Sequence, residues 1–382
     1  MRIHKEQESP VAGTFALTLL KWFREHGREL PWRQTRDTYA IWLSEIILQQ
    51  TQVKQGWDYW ERFMRRWPTV EDLAGATEDE VLREWQGLGY YSRARNLHYA
   101  AKQIVALGHF PDTLEDIKRL KGVGDYTAAA IGSIAFGLPA AVVDGNVYRV
   151  LARHFGIDTP INTTEGKKTF AALAQELLPI SPSDYSLTSH LSPLTSEYNQ
   201  AIMDFGAIQC TPQSPRCNDC PLMETCSAFR EGRVGELPVK QKTLKVKERH
   251  LIYIYIRCNG ETAIHRRGPG DIWQGLWEPL CLEVSGEKLE VRGEKLEVRD
   301  MLSASGILSP LTPHLSPLIL HLSPLKINVK HVLTHRILLA DFYLLEVPEK
   351  PSLPPDYIWI KETELDSYAV PRLIEKFLQD FR

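Results

Sequence analysis

Apolar residues fall at helical spacing through the first part of the chain. Phe15, Leu17, Leu19, Leu20 and Phe23 predict a helix from Phe15 to His26 that ends near Gly27, and Pro31 with Trp32 predict a turn after it. The run YAIWLSEIILQQTQV, Tyr39 to Val53, continues the helical pattern, as does Gln55 to Trp67. Gly122 and Gly124 bracket Val123 just ahead of the apolar run Thr127 to Phe136, which Gly137 and Pro139 close. Such a glycine turn opens a helix N-terminus, where backbone N–H groups suit a phosphate oxygen. Val147 to Arg153 is a further amphipathic run. From Arg233 to Arg249 the periodicity is lost and Lys240, Lys242, Lys245, Lys247 and Arg249 accumulate, the pattern of a linker. Beyond it LIYIYIR, 251–257, and LLADFYLLEV, 338–347, alternate like strands.

Polar residues that interrupt these patterns are the candidates for chemistry. Glu45 has Ile41, Trp42 and Leu48 as its helical neighbours, so its carboxyl leans on apolar surface; a desolvated carboxyl keeps its proton near neutrality, as a general acid requires. Taken alone, Glu45 is equally a helix-edge surface residue. Asp144, ahead of the run from Val147, is by itself a helix N-cap. Gln49, Gln50 and Thr51 form either an exposed helix end or a set of amides that read base edges or fill the gap left by a flipped base. Leu88, Gly89 and Tyr90 form a small apolar wedge or a buried turn.

Composition narrows the picture modestly. At 382 residues and 43% hydrophobic content the chain has room for two or three domains, and no apolar run reaches bilayer length. The charged start MRIHKEQESP lacks an apolar signal region, so a cytosolic protein without a membrane partner is expected. A net charge of −3 does not announce a nucleic-acid binder. Locally, however, no acidic residue falls between Glu84 and Asp112, where Arg93, Arg95 and Lys102 accompany Tyr90 and Tyr91. That stretch is either a phosphate-holding patch with base-facing rings or a solvated helix with two core tyrosines. Cys210, Cys217, Cys220 and Cys226, separated by six, two and five residues, argue for a metal centre, iron–sulfur or zinc, rather than disulfides. Two repeats stand out: GEKLEVR at 286–292 and 293–299, and HLSPL at 190, 314 and 321. Both look like inserted loops and carry no evident chemistry.

The hairpin and the aspartate twenty residues after Gly124 resemble the helix-hairpin-helix DNA glycosylases related to endonuclease III, over most of residues 14–228, and SEIILQQTQV resembles their adenine-specific members. The resemblance implies a multi-domain protein: an all-α glycosylase domain, residues 1–232, with an iron–sulfur loop at about 210–226; a basic linker, 233–249; and an α+β Nudix-like domain, 250–382, interrupted at about 286–325. It implies a monofunctional enzyme that flips adenine out of double-stranded DNA and cuts its glycosidic bond. Glu45 would be the general acid and Asp144 the group that stabilises or captures the sugar cation, with Tyr126 and Asn146 orienting them. Lyase relatives carry lysine where Tyr126 stands, and a tyrosine forms no imine; thymine-mismatch relatives share the tyrosine, so this position excludes lyases rather than selecting adenine. Arg28, Trp32, Arg33, Leu48 and Gln200 would line the adenine pocket. Gln50, Thr51, Leu88, Tyr90, Lys121, Gly122, Val123 and Gly124 would contact DNA.

In the Nudix-like half, HRRGPGDIWQGLWEPL, His265 to Leu280, matches the family, and the absence of a glutamate cluster points to recognition rather than hydrolysis. Leu333, Thr334 and His335 take the places of a family Phe-Ser-His element that contacts 8-oxoguanine; threonine keeps the hydroxyl, but leucine lacks the ring. The substrate implied is adenine opposite 8-oxoguanine or guanine, the cofactor one 4Fe–4S cluster on the four cysteines, and the protein a nucleoid-associated cytoplasmic monomer.

Overall fold

The structure is a computed structural model that describes residues 10–179, 193–241, 247–284 and 322–381. Helices occupy the first part: α1 (Pro10–His26), α2 (Thr38–Leu48), α3 (Val53–Arg66), α4 (Val70–Gly75), α5 (Glu78–Trp85), α6 (Ser92–Leu107), α7 (Leu114–Arg119), α8 (Asp125–Phe136), α9 (Gly145–Phe155), α10 (Thr164–Glu176), α11 (Pro193–Asp204) and α12 (Ser227–Arg230). Short polar side chains start several of them. Thr77 and Glu80 form a reciprocal capping box on α5, Thr113 caps α7 and Thr163 caps α10. Gly137, in the left-handed conformation, stops α8 as the glycine and proline there predict. No helix among the described residues is long and apolar enough to cross a membrane.

The run expected to continue from Tyr39 to Val53 divides instead. α2 stops at Leu48, Gln50 adopts a φ of 55°, and α3 starts at Val53. The two helices meet closely, since a Cβ on Gly56 would lie 2.6 Å from Leu48 Cδ2. The Ser/Pro-rich copies are also shorter than their composition suggests: Pro193 and Leu194 open α11, and Leu322 to Leu325 lie in a strand. Both GEKLEVR copies and the HLSPL copy at 314 lie outside the described residues.

The chain divides into two compact units. The first takes the described residues up to Gly75 and from Asn96 to Gln241; the second takes Ala76–Arg95 together with the described residues from Lys247 on. The expected linker therefore starts late. Leu237 is buried in the helical core, Val234 and Val239 pack beside it, and Ile161 N–H donates to Val239 O at 3.0 Å. Lys247 and Arg249 already belong to a strand.

The second unit holds a seven-stranded mixed sheet: β1 (Lys247–Cys258), β2 (Glu261–Arg266), β3 (Trp277–Glu278), β4 (Leu280–Val284), β5 (Leu322–Leu333), β6 (Arg336–Glu346) and β7 (Tyr357–Lys361). β1 lies centrally, parallel to β6 on one side and antiparallel to β4 and β2 on the other. It does not alternate in burial, because both faces are covered. Ile252, Ile254 and Ile256 join one apolar cluster, while Tyr255 faces Phe377 and Phe381 of α13 (Arg372–Phe381).

In the helical unit one amide side chain fixes the approach to the chemistry. Asn199 on α11 is fully buried; its Nδ2 donates to Ser133 Oγ at 2.9 Å and Ala140 O at 2.8 Å, and its Oδ1 accepts from Val142 N at 3.2 Å. The segment leading to Asp144 is thereby tied to α8 and α11. Replacing Asn199 by Ala orphans a buried N–H and a buried carbonyl, each costing roughly 1–3 kcal/mol. Urea melts of Asn199→Ala are expected to show a loss of about 3 kcal/mol.

Candidate active site

A cavity of about 440 Å³ opens in the helical unit, and Glu45, Tyr126, Asp144 and Asn146 all line it. Arg28, Trp32, Arg33, Leu48 and Gln200, the residues expected to hold adenine, line it too, as does Thr51. Its walls come from the turn Pro31–Arg33, α2, α8, the start of α9 and α11. Glu45 is buried, so the surface reading of this residue does not hold. Tyr126 donates its hydroxyl to Glu45 Oε2 at 3.1 Å, and its burial keeps the phenol protonated. Burial pushes the Glu45 carboxyl up to about 7, against the opposing pull of the Tyr126 hydrogen bond and of Arg33.

Asp144 has a different environment. It is the N-cap of α9, as its bare sequence context suggests, and its Oδ1 accepts from Asn146 N and Val147 N, both at 2.8 Å. Its Oδ2 accepts from Asn146 Nδ2 at 2.8 Å. Burial raises the Asp144 carboxyl from its ordinary value, while these three hydrogen bonds and Arg149 work against the rise. Three donors on Asp144 against one on Glu45 make Asp144 the more readily ionised of the pair.

Four residues that the sequence reading passed over hold this arrangement. Arg149 donates Nη2 to Asn146 Oδ1 at 2.9 Å and Nε to Cys210 O at 2.7 Å, so it braces the partner of Asp144. Gly206 gives up a side chain for the same contact: a Cβ there would lie 2.6 Å from Asn146 Cβ. Asp204, at the end of α11, accepts from both Arg28 and Arg33. Asn199 is the fourth. Arg149 and Arg153 did carry a signal, two arginines four apart in the otherwise apolar run VYRVLAR, a place where charge is retained only with partners.

The expected DNA contacts distribute unevenly. Gly122, at φ 81°, makes the hairpin turn, and a Cβ would collide with Asn96; open space lies in front of Gly124. Lys121 is exposed and Val123 is buried. Gln50 is exposed in the turn between α2 and α3, whereas Gln49 donates to Thr127 Oγ1 at 3.0 Å.

Within the second unit the wedge needs correction. Leu88 is buried, and the exposed tip is Tyr90, held at φ 49° beyond Gly89. Two members of the basic stretch nearby are taken up by protein contacts: Arg93 is buried against the Trp85 and Tyr90 rings beside a buried Tyr91, and Arg95 donates to Gln274 O, whereas Lys102, in the helical unit, is exposed. Burial lowers the Arg93 guanidinium to about 10. Leu333 ends β5, and Thr334 with His335 forms a two-residue turn into β6. Tyr90 Oη and Thr334 Oγ1 lie 2.6 Å apart, so the expected wedge and the expected lesion loop form one surface.

The four cysteines share a second, small cavity of about 30 Å³ with Arg153, Gln209 and Met223. Arg153 Nη1 donates toward Cys210 Sγ at 3.4 Å and to Thr211 O at 2.8 Å, and its Nε donates to Leu237 O at 3.0 Å. Among the described residues no three His, Cys, Asp or Glu side chains converge on one point as a single bound ion requires. The donor set, four thiols around one space with no imidazole or carboxylate lining it, fits a sulfur-ligated cluster.

Comparisons with known proteins agree with this architecture. Residues 43–179 match the HhH-GPD superfamily of base excision DNA repair proteins, and residues 252–380 match the NUDIX domain. An adenine DNA glycosylase of Rattus norvegicus is 43% identical over 239 residues, 59% of this chain and 44% of that relative, so the chain spans under half of its length. One from Buchnera aphidicola is 34% identical over 268 residues, 69% of this chain and 73% of the relative. The structure of a thermostable thymine-DNA glycosylase aligns with a TM-score of 0.51 at 30% identity, covering 58% of this chain and 97% of that one. With both halves matched in order and a bacterial relative aligned over 73% of its length, the chain belongs to the adenine DNA glycosylase family.

Proposed function

We propose that the protein is a monofunctional DNA glycosylase that removes adenine mispaired with 8-oxoguanine or guanine in double-stranded DNA. The observation that carries this reading is the pairing, across one cavity, of a buried carboxyl held near 7 with a carboxylate that takes three hydrogen bonds. The substrate identity is supported by the curated relatives, which are named adenine DNA glycosylases.

Extruding the adenine costs a few kcal/mol of stacking. Arg28, Trp32, Arg33, Leu48 and Gln200 then enclose the base. Glu45 donates its proton to a ring nitrogen, and the sugar–base bond breaks with its electron pair going to the base. The positive charge left on the sugar falls to Asp144, which stabilises it electrostatically or bonds to the sugar carbon until water replaces the base. Asn146 holds both Asp144 oxygens, one through its backbone N–H and one through its side chain, and Tyr126 holds Glu45. Glu45, left as a carboxylate, regains its proton from solvent. The residue pair divides the labour as glycoside hydrolases do, by giving two carboxyl groups different surroundings.

DNA is positioned by the hairpin Lys121–Gly124 and by Gln50 and Thr51, and the opposite strand is probed by Tyr90 together with Leu333, Thr334 and His335. The Tyr90–Thr334 contact supports joint probing by these two turns. Cys210, Cys217, Cys220 and Cys226, which line one small cavity in the loop that Arg149 and Arg153 grip, would hold one 4Fe–4S cluster, and the cluster would cross-link that loop. Such an enzyme works as a monomer where genomic DNA lies, in a nucleoid-associated cytoplasm.

Duplexes carrying adenine opposite 8-oxoguanine, adenine opposite guanine, and thymine opposite guanine test the reading. Adenine is expected to be released from the first two, with strand scission only after alkali; thymine release alone, or scission without alkali, contradicts it. Because Glu45 must be protonated and its carboxyl is pushed up to about 7, single-turnover release is expected to be full below pH 7 and to fall as pH rises through it. Glu45→Gln is expected to lower the rate by about 100-fold or more at acid pH, with the difference narrowing as the pH rises through 7. Cys220→Ser is expected to lose iron and visible absorption, measured on protein purified without oxygen.

A further inference from the structure

Beside the cavity lies a buried charge that the mechanism above does not use. The Asp204 side chain is fully buried at the end of α11, and it accepts five hydrogen bonds from two arginines. Oδ1 accepts from Arg28 Nε at 3.0 Å, from Arg28 Nη2 and from Arg33 Nη2 at 2.8 Å. Oδ2 accepts from Arg28 N and from Arg33 Nη1, both at 2.9 Å. Arg33 Nη1 also donates to Arg28 O at 2.9 Å, and the Arg33 guanidinium lies 5.4 Å from the Phe23 ring centre. The fork of Arg33 is therefore turned toward Asp204, although Arg33 lines the same cavity as Glu45.

We propose that Asp204 is a positioning residue for base release: by engaging the Arg28 and Arg33 guanidinium groups it keeps Arg33 from forming an ion pair with Glu45 and so preserves Glu45 as a proton donor. The proposal rests on the adenine glycosylase reading and adds a residue to it. The charged and titratable groups acting on Glu45 are Tyr126 from α8, Arg33 from the turn after α1 and Asp144 at the start of α9; Arg28 and Arg149 line the same cavity. Of these, Arg33 is the cation that acts on Glu45, and its pull favours the ionised form. An arginine left with no other partner in a partly dry cavity pairs with the nearest carboxylate, and such a pair holds that carboxylate ionised. Asp204 removes the opportunity twice over. It occupies the donors of Arg33, and its own negative charge offsets the two guanidinium groups. Both arginines in turn hold the Asp204 carboxyl down to about 2, so it remains charged wherever the enzyme works.

The reading separates two roles for the arginines. They can face the base while the balance of charge behind them spares the acid. A purely structural role for Asp204 would lower folding stability without moving the pH at which the rate falls.

The test is single-turnover adenine release from duplexes containing adenine opposite 8-oxoguanine, from about pH 5 to about pH 9, for the full-length protein and three variants. Asp204→Asn is expected to move the alkaline midpoint of the rate down by about one pH unit or more, with the rate at the acid end recovering toward that of the unaltered protein. Asp204→Glu keeps the charge and is expected to keep the midpoint. Arg33→Gln is expected to move the midpoint up, whatever it does to the maximal rate. Should Asp204→Asn not fold, the direction of the Arg33→Gln shift decides; for a variant too slow to assay, the midpoint is read from the infrared carboxyl band of Glu45. Midpoints that stay in place, or that move in the same direction in Asp204→Asn and Arg33→Gln, overturn the proposal. Failure of the unaltered protein to release adenine at any pH sinks the proposed function instead, so the two failures are distinguishable.

Discussion

Two carboxyl groups share one cavity and are made different by what surrounds them. Glu45 is taken out of water with a single phenol as hydrogen-bond partner, so its proton stays near neutral pH. Asp144 sits at a helix N-terminus where two backbone amides and an asparagine turn toward it, groups that reward the charged form. The chemistry proposed for the protein follows from that asymmetry, since a proton donor and an anionic partner must coexist a few ångströms from one sugar. The surrounding scaffold serves to keep the two environments apart.

α9 and α11 do most of this work. α9 carries Asp144 as its cap, Asn146 in its first turn and Arg149 in its second. α11 contributes Asn199, which ties down the loop leading to Asp144, and ends in Asp204. The π-helix that follows, Phe205–Gln209, passes so near Asn146 that residue 206 has space only for glycine. Through the carbonyls of Gly206 and Cys210, Arg149 also joins the cap to the cysteine loop, so the cavity of the two carboxyl groups and that of the four cysteines are held by neighbouring side chains of one helix.

Much of the helical fold was legible because its apolar residues recur at three and four positions and its breaks carry Gly and Pro, as at Gly137. Glu45 and Asp144 were legible for a different reason, polar residues set within apolar runs and matched to a family motif. What the sequence concealed were partners brought together by tertiary folding. Asp204 is separated from Arg28 by 176 positions, and nothing in DFGAIQ marks it as their counterion. Leu88 and Tyr90, expected together in one wedge, part company, Leu88 buried and Tyr90 exposed, because two glycines turn the backbone, with Gly87 at φ 94° and Gly89 at φ 78°, and burial is decided by packing rather than by side-chain type. The arginines at 93 and 95 were misleading for the same reason: charge counted along the chain does not say which way a side chain faces. Residues 76–95 cluster with the C-terminal residues although a family match places them inside the helical half, an arrangement that periodicity cannot express.

The most direct measurement of the central claim is an infrared titration of the carboxyl region, comparing the protein with its Glu45→Gln variant so that the Glu45 band is isolated by difference. The account predicts a protonated-carboxyl band that is missing from the variant and disappears with a midpoint near 7. A midpoint near the ordinary value of 4.5 would mean that Glu45 is ionised at neutral pH, and the protein would then have no proton to give.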